Sequence, residues 1–145
     1  MPKPSGEWLA EDIAYYASVG VTQITSLIEK HEAAELGLQN EQQACQAAGL
    51  QFVSFPIQDY GLPERDAFVD LANQTRAQIE QGACVAIHCR AGIGRSGMLS
   101  CTILAPWLGS MKSAIEEVCA ARRVAVPDTQ EQRLFIEGLY GQEPD

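Results

Sequence analysis

Residues 83–97 read Ala83-Cys84-Val85-Ala86-Ile87-His88-Cys89-Arg90-Ala91-Gly92-Ile93-Gly94-Arg95-Ser96-Gly97. The first five are short and almost wholly apolar, and they follow Gly82, which is the pattern of a strand buried on both faces. After Gly97 the run Met98-Leu99-Ser100-Cys101-Thr102-Ile103-Leu104-Ala105 reads as a buried helix, bent or interrupted at Pro106. Between strand and helix, Gly92 and Gly94 permit positive φ, so consecutive backbone N–H groups can turn toward one centre. Such a nest at a helix N-terminus is an anion site.

The flanking sequence repeats the strand–helix alternation. Residues 8–19 place Trp8, Leu9, Ile13 and Tyr16 at helical spacing and stop at Gly20. Val21–Ile28 reads as a strand, followed by helical stretches ending near Gly37 and Gly49. Leu50–Ile57 is again strand-like and breaks into a loop around Pro56, Asp59, Gly61 and Pro63. An amphipathic helix over 64–81 follows, opened by Pro63 and Glu64. Residues 113–122 form a further helix, and a last one starts near Asp128 or Thr129, with Glu131 and Gln132 placed for a capping box. With no repeat or linker in 145 residues, the expectation is one α/β domain over 1–145, a central, mainly parallel sheet flanked by helices.

Composition narrows the chemistry. The net charge is −9, which argues against a nucleic-acid surface, since phosphate binding over a long footprint needs a basic face. Yet no Asp or Glu lies between Glu80 and Glu116, and Arg90, Arg95 and Lys112 fall inside that window, which suits a small anion. No apolar run approaches the ~18 residues of a membrane span, and the first twenty residues lack the h-region of a signal peptide. A cytoplasmic location without membrane contact is the expectation. The five cysteines, Cys45, Cys84, Cys89, Cys101 and Cys119, form no C-x-x-C pair, and with only His31 and His88 no metal site or cofactor is expected.

One cysteine is placed differently. Cys89 closes the strand and looks into the nest, where amides and Arg95 stabilise a thiolate and lower its pKa from the ~8.5 of free cysteine. A thiolate under an anion cradle is a nucleophile aimed at phosphate. The planar fork of Arg95 matches two phosphate oxygens bidentately. Ser96 donates a hydroxyl to the sulfur, His88 is an orienting hydrogen-bonder, and Arg90 projects outward to meet the substrate. The expelled oxygen needs a proton, and Asp59 is the candidate donor, then the base toward water. Gln132 is read either as a water-positioning amide or as a helix cap.

The segment His88-Cys89-(five residues)-Arg95-Ser96 resembles the phosphate loop of the cysteine-dependent protein tyrosine phosphatases, H-C-x5-R-S/T. The acid loop Pro56-Ile57-Gln58-Asp59 through Pro63, and Arg123 with Pro127, Thr129 and Gln132, are similar to the compact dual-specificity and kinase-associated phosphatases. The resemblance implies hydrolysis of phosphotyrosine, with or without phosphoserine and phosphothreonine, in proteins or peptides. It implies a phosphocysteine on Cys89, with His88, Arg90, Ala91, Gly92, Ile93, Gly94 and Gln132 around the phosphate, and inhibition by phosphate-like oxyanions. The chain lacks the Trp-Pro-Asp acid loop of the tyrosine-specific branch and the loop lysine of lipid-directed members, where Ile93 stands instead. Two other readings remain: a phosphatase acting on a lipid head group, an inositol phosphate or a nucleic-acid end, and a phospho-binding module with little turnover.

Overall fold

The computed structural model describes residues 1–140. Its elements, in chain order, are α1 (Leu9–Ser18), β1 (Gln23–Ser26), α2 (Lys30–Glu35), α3 (Glu41–Ala47), β2 (Gln51–Ser54), α4 (Arg65–Glu80), β3 (Val85–His88), α5 (Arg95–Leu108), α6 (Met111–Arg122) and α7 (Gln130–Glu137). The described strands form one sheet in the order β2-β1-β3, with both pairings parallel. The strands therefore end at one edge, and the loops that follow them meet there. That is the expected α/β class.

The pleat sorts the core into two layers. Ile24 lies in register with Phe52 and Ala86, and this row packs on Ile13, Cys45 and Leu50 under α1 and α3. The next row carries Val53 and Ile87 to the opposite face, against the larger cluster of Phe68, Leu71, Met98, Leu99, Ile115 and Ile136 from α4 to α7. Helices thus cover both faces of three short strands.

Burial along the strands departs from expectation. The strand buried throughout is β1, Gln23-Ile24-Thr25-Ser26, whereas Val85, Ala86 and Ile87 of β3 are only half-buried. Position outweighs composition here: β1 has a neighbour on each side, while β3 is the sheet's edge. Polar side chains survive inside β1 because they find partners, as when Gln23 Nε2 donates to Thr25 Oγ1. The outer edge of β3 is met by the first residues of the chain: the Met1 amino group donates to Ile87 O at 2.6 Å, and Lys3 N–H donates to Arg90 O.

Helix α5 also differs. It begins at Arg95, inside the glycine-rich segment, and continues through Pro106 to Leu108. Proline has no N–H, so the carbonyl four residues earlier, Thr102 O, loses its helical donor. Arg76 of α4 supplies the replacement, with NH2 donating to Thr102 O at 2.9 Å and Nε donating to Ile103 O at 2.8 Å. The helix is held through its proline by a guanidinium from its neighbour. We expect Arg76→Met to destabilise the fold by about 1–3 kcal/mol, because it keeps the aliphatic packing and orphans a carbonyl. Urea denaturation checks this, and an unchanged midpoint and slope contradict it.

Candidate active site

The phosphate-binding expectation rests on residues 88–96, and their placement follows from the helix start. Gly94 is the N-cap of α5 and brings no side-chain cap, so first-turn N–H groups remain for another partner. A 14-residue helix also points its positive dipole end at this spot. Cys89 lies there, 3 % exposed. Its Sγ is 3.3 Å from Ser96 Oγ and accepts from Gly92 N–H at 3.3 Å. Burial pushes the thiol pKa up, but the Ser96 hydroxyl, the Ser96 and Gly92 amides and the Arg95 charge outweigh it and hold Cys89 below the ordinary cysteine value. By contrast, burial raises Cys45 and Cys101 to about 12.

The two glycines differ in role. Gly92 has φ +77°, and a Cβ there would meet the backbone of Met1 and Pro2 at 2.3–2.4 Å. Gly94 has φ −77°, so the positive φ expected of it is absent. Its missing side chain instead lets α7 approach: a Cβ at Gly94 would lie 3.0 Å from Gln132 Oε1 and 3.2 Å from Asp128 Cβ.

Arg95 is 1 % exposed, and its charge is answered by a residue that sequence reading did not single out. NH1 and NH2 donate to the two carboxylate oxygens of Glu32 at 2.7 and 2.9 Å, a fork-to-fork pair. NH1 also donates to Ile57 O at 2.9 Å, and NH2 to Asp59 Oδ1 at 3.0 Å. Of five guanidinium N–H donors, four are therefore engaged, leaving Nε–H. The free bidentate fork expected from sequence is turned toward Glu32 and Asp59. Burial alone would raise the Glu32 pKa; hydrogen bonds from Arg95 and Glu29 N–H, together with the Arg95 and Arg90 charges, bring it below the usual carboxylate range. Glu32 is also the N3 residue of the capping box that starts α2.

The acid loop is braced at both ends. Arg95 holds Ile57 O, and Gln132 Nε2 donates to Gly61 O at 3.3 Å. The Gln132 oxygen accepts from Thr129 N–H, completing the capping box of α7. Between the braces Tyr60 adopts φ 59°, and its N–H donates to Asp59 Oδ1. Asp59 thereby faces a small cleft of about 40 Å³ lined by Asp59, Tyr60, Cys89, Arg90, Ala91, Gly94, Arg95, Asp128 and Gln132.

Other expected residues fall elsewhere. Ile93 packs against the hydrophobic core rather than the cleft, since it starts the turn into buried α5. Arg90 lines the cleft, but its NH2 is 3.6 Å from Glu35 Oε2, both side chains being largely exposed. His88 is fully buried beneath the loop, with Nδ1 3.0 Å from Cys89 O and Nε2 2.7 Å from Glu41 Oε2. Glu41, like Glu32, carried no local signal. Among the described residues no group of three or more His, Cys, Asp and Glu side chains could hold a metal, and no helix is long and apolar enough to cross a membrane.

Comparisons with known proteins agree with this geometry. A family model described as "Polymorphic toxin system, DSP-PTPase phosphatase" matches residues 1–110. Protein tyrosine phosphatase domain-containing protein 1 of Mus musculus is 32% identical over 109 residues, 68% of this chain and 14% of that protein. Protein tyrosine phosphatase type IVA 2 of Mus musculus is 30% identical over 91 residues, 61% of this chain and 53% of that protein. The chain thus matches only a small part of the first relative and about half of the second. The crystal structure of Tk-PTP superposes with a TM-score of 0.78 at 26% identity, covering 95% of this chain and 87% of that one. Kinase associated phosphatase superposes at 0.81 with 20% identity, over 88% of this chain and 72% of that one. A parallel sheet that delivers a cysteine to an uncapped helix start, matched across residues 1–110, decides the family: this chain belongs to the DSP-PTPase phosphatases, which hydrolyse phosphoric monoesters.

Proposed function

We propose that the enzyme dephosphorylates proteins in the cytoplasm, phosphotyrosine foremost, through a phosphocysteine on Cys89. The observation that carries the reading is the Cys89 sulfur, lowered in pKa between the Gly92 amide and the Ser96 hydroxyl at the start of α5. The Cys89 thiolate attacks phosphorus as the bond to the leaving oxygen breaks, and Asp59 gives that oxygen its proton. Water then attacks the phosphocysteine, Asp59 takes a proton from it, and sulfur leaves as thiolate with the Ser96 hydroxyl donating to it. The products are the dephosphorylated side chain and inorganic phosphate.

The donor count on Arg95 adds one requirement. Nε–H is free, and NH2 becomes free only when Asp59 withdraws. Phosphate therefore takes Nε and NH2 while Asp59 moves toward the leaving group. Glu32 keeps its grip throughout and fixes which edge of the guanidinium faces the cleft.

The rim supports a protein substrate over a polyphosphorylated one. Arg90 and Arg95 are the cations among the cleft-lining residues, and Arg90 is shared with Glu35. Asp59 and Asp128 stand across from them, so further phosphates would meet repulsion. Tyr60, 64% exposed at the mouth, offers a ring face to an aromatic substrate. Five free cysteines suit a reducing compartment.

Cys89→Ser should abolish hydrolysis of p-nitrophenyl phosphate and of phosphotyrosine peptides while vanadate or tungstate still binds. Activity surviving in that variant sinks the mechanism. Asp59→Asn should lower kcat by about 10²–10⁴-fold, the usual worth of a general acid, with less effect on KM. An unchanged kcat moves the acid elsewhere.

Alkylation of Cys89 by iodoacetamide, followed in a Cys84→Ser background, should rise with pH through a midpoint below ~8.5. Ser96→Ala should move that midpoint upward, and a wild-type midpoint at or above the free-cysteine value contradicts the activated thiolate. Glu32→Ala leaves a buried guanidinium without its main partner and should cost about 3–5 kcal/mol in urea denaturation. A loss under 1 kcal/mol would mean that Asp59 and Ile57 O suffice to hold Arg95.

A further inference from the structure

Arg122 is the last residue of α6 and takes no part in the steps above. A basic residue in a last helical turn suits the negative end of the dipole and reads as a solvated helix end. Its spacing says otherwise. Met111, Ile115 and Val118 form the buried stripe of α6, and Arg122 continues that stripe at the next helical step. There the stripe leaves the core and meets the phosphate loop. Arg122 Nε donates to Gly92 O at 3.1 Å, and its NH2 donates to Ala91 O at 3.4 Å. The preceding carbonyl, Arg90 O, accepts from Lys3 N–H at 3.2 Å. Neither Arg122 nor Lys3 lines the cleft, so three successive loop carbonyls are held from its outer side.

A trans peptide is planar, and its C=O and N–H point in opposite directions. The cis bond among the described residues is Val126–Pro127, so the loop units obey this rule. An outward Ala91 O therefore requires an inward Gly92 N–H, and that N–H is the one that donates to Cys89 Sγ at 3.3 Å. By the same geometry, outward Arg90 O and Gly92 O turn the Ala91 and Ile93 N–H groups toward the cup. A loop with a glycine at its centre has other conformations open to it, and the outer donors select this one. We propose that Arg122, together with the backbone of Lys3, is a positioning residue for phosphate: it holds the loop carbonyls outward so that the loop amides converge on the oxyanion. The inference rests on the reading of residues 88–96 as the phosphate site.

Both arms of this brace are anchored. Met111, Ala114, Ile115 and Val118 fix α6 in the core, and Arg123 ends the helix at φ 56° directly after Arg122. Lys3 precedes Pro4, which favours an extended backbone at Lys3. The chain beyond it is tied down where Ser5 N–H donates to Asp12 Oδ2 of α1 at 2.8 Å and where Gly6 lies against Leu36 O.

Tungstate is the probe, because it occupies an oxyanion site without turnover. Arg122→Met keeps the aliphatic stem and removes both donors, whereas Arg123→Met removes the same charge one residue on, from an exposed side chain. Arg122→Met should weaken tungstate binding and raise KM for p-nitrophenyl phosphate, each by about tenfold, the usual worth of a hydrogen bond from a charged group. Arg123→Met should leave both in place. Lys3→Pro keeps the strap extended and removes its N–H, and about a threefold loss in the same two quantities is expected. Equal losses in Arg122→Met and Arg123→Met would assign the effect to distant charge and overturn the proposal. So would a lower denaturation midpoint with tungstate affinity and KM unchanged, which is the mark of a merely structural contact. Should Arg122→Met fail to fold, Lys3→Pro decides, since Lys3 lies outside every helix and strand: unchanged tungstate affinity there overturns the brace. A wild-type enzyme that neither binds tungstate nor hydrolyses phosphomonoesters removes the proposed function and the brace together, whereas the outcomes above leave the function standing.

Discussion

A guanidinium with 1 % of its surface exposed has to be neutralised where it lies, and the architecture around the site follows from that constraint. Arg95 opens α5, Glu32 sits in the first turn of α2, and Ile57 and Asp59 belong to the loop after β2. One cation therefore joins three segments that enter from different strands of the sheet. Taking a charge out of water is expensive, and the desolvation cost is offset only when geometry and hydrogen bonding are both good. The two-pronged contact with Glu32 and the single contacts with Ile57 O and Asp59 meet that condition. The contact to Asp59 differs from the rest, since its carboxylate is more than a third exposed and can leave without stranding a buried charge.

The second constraint is the helix start. An ordinary N-cap side chain would consume the amides that the sulfur needs, and Gly94 has none to offer. The same residue must be small for another reason, because Asp128 and Gln132 press against it from α7 and the turn before it. A single glycine thus leaves the amides free and lets α7 close the cleft. Gly92, at positive φ, turns its own N–H onto Cys89 Sγ.

Local chemistry was the legible part of the sequence. His88, Cys89, Arg95 and Ser96 lie within nine residues, so their spacing alone describes a loop between strand and helix. The alternation of elements gave the α/β class, and Thr129 with Gln132 announced the cap of α7. What stayed hidden depended on distance or on position in the sheet. Glu32 is 63 residues from Arg95 and Glu41 is 47 from His88, and a glutamate at a helix start reads as surface until the fold shows what it faces. Val21–Ile28 reads as a strand, but the polar composition of Gln23-Ile24-Thr25-Ser26 hides that it is the central one, and the apolar Ala83–Ile87 run suggests a centrality that its edge position denies it. Ile93 sits within the signature yet serves the core, because the loop must enter a buried helix at that point.

Glu32 and Asp59 both hold Arg95 beside the Cys89 sulfur, where the start of α5 adds the positive end of its dipole. In the proposed reaction these contacts make movement of Asp59 a condition of phosphate binding. A phosphate cannot accept from NH2 of Arg95 while Asp59 occupies it. On the proposed reading, withdrawal of Asp59 returns an N–H donor to the ligand. Substrate binding and release of the proposed general acid are then coupled through a single NH2 group.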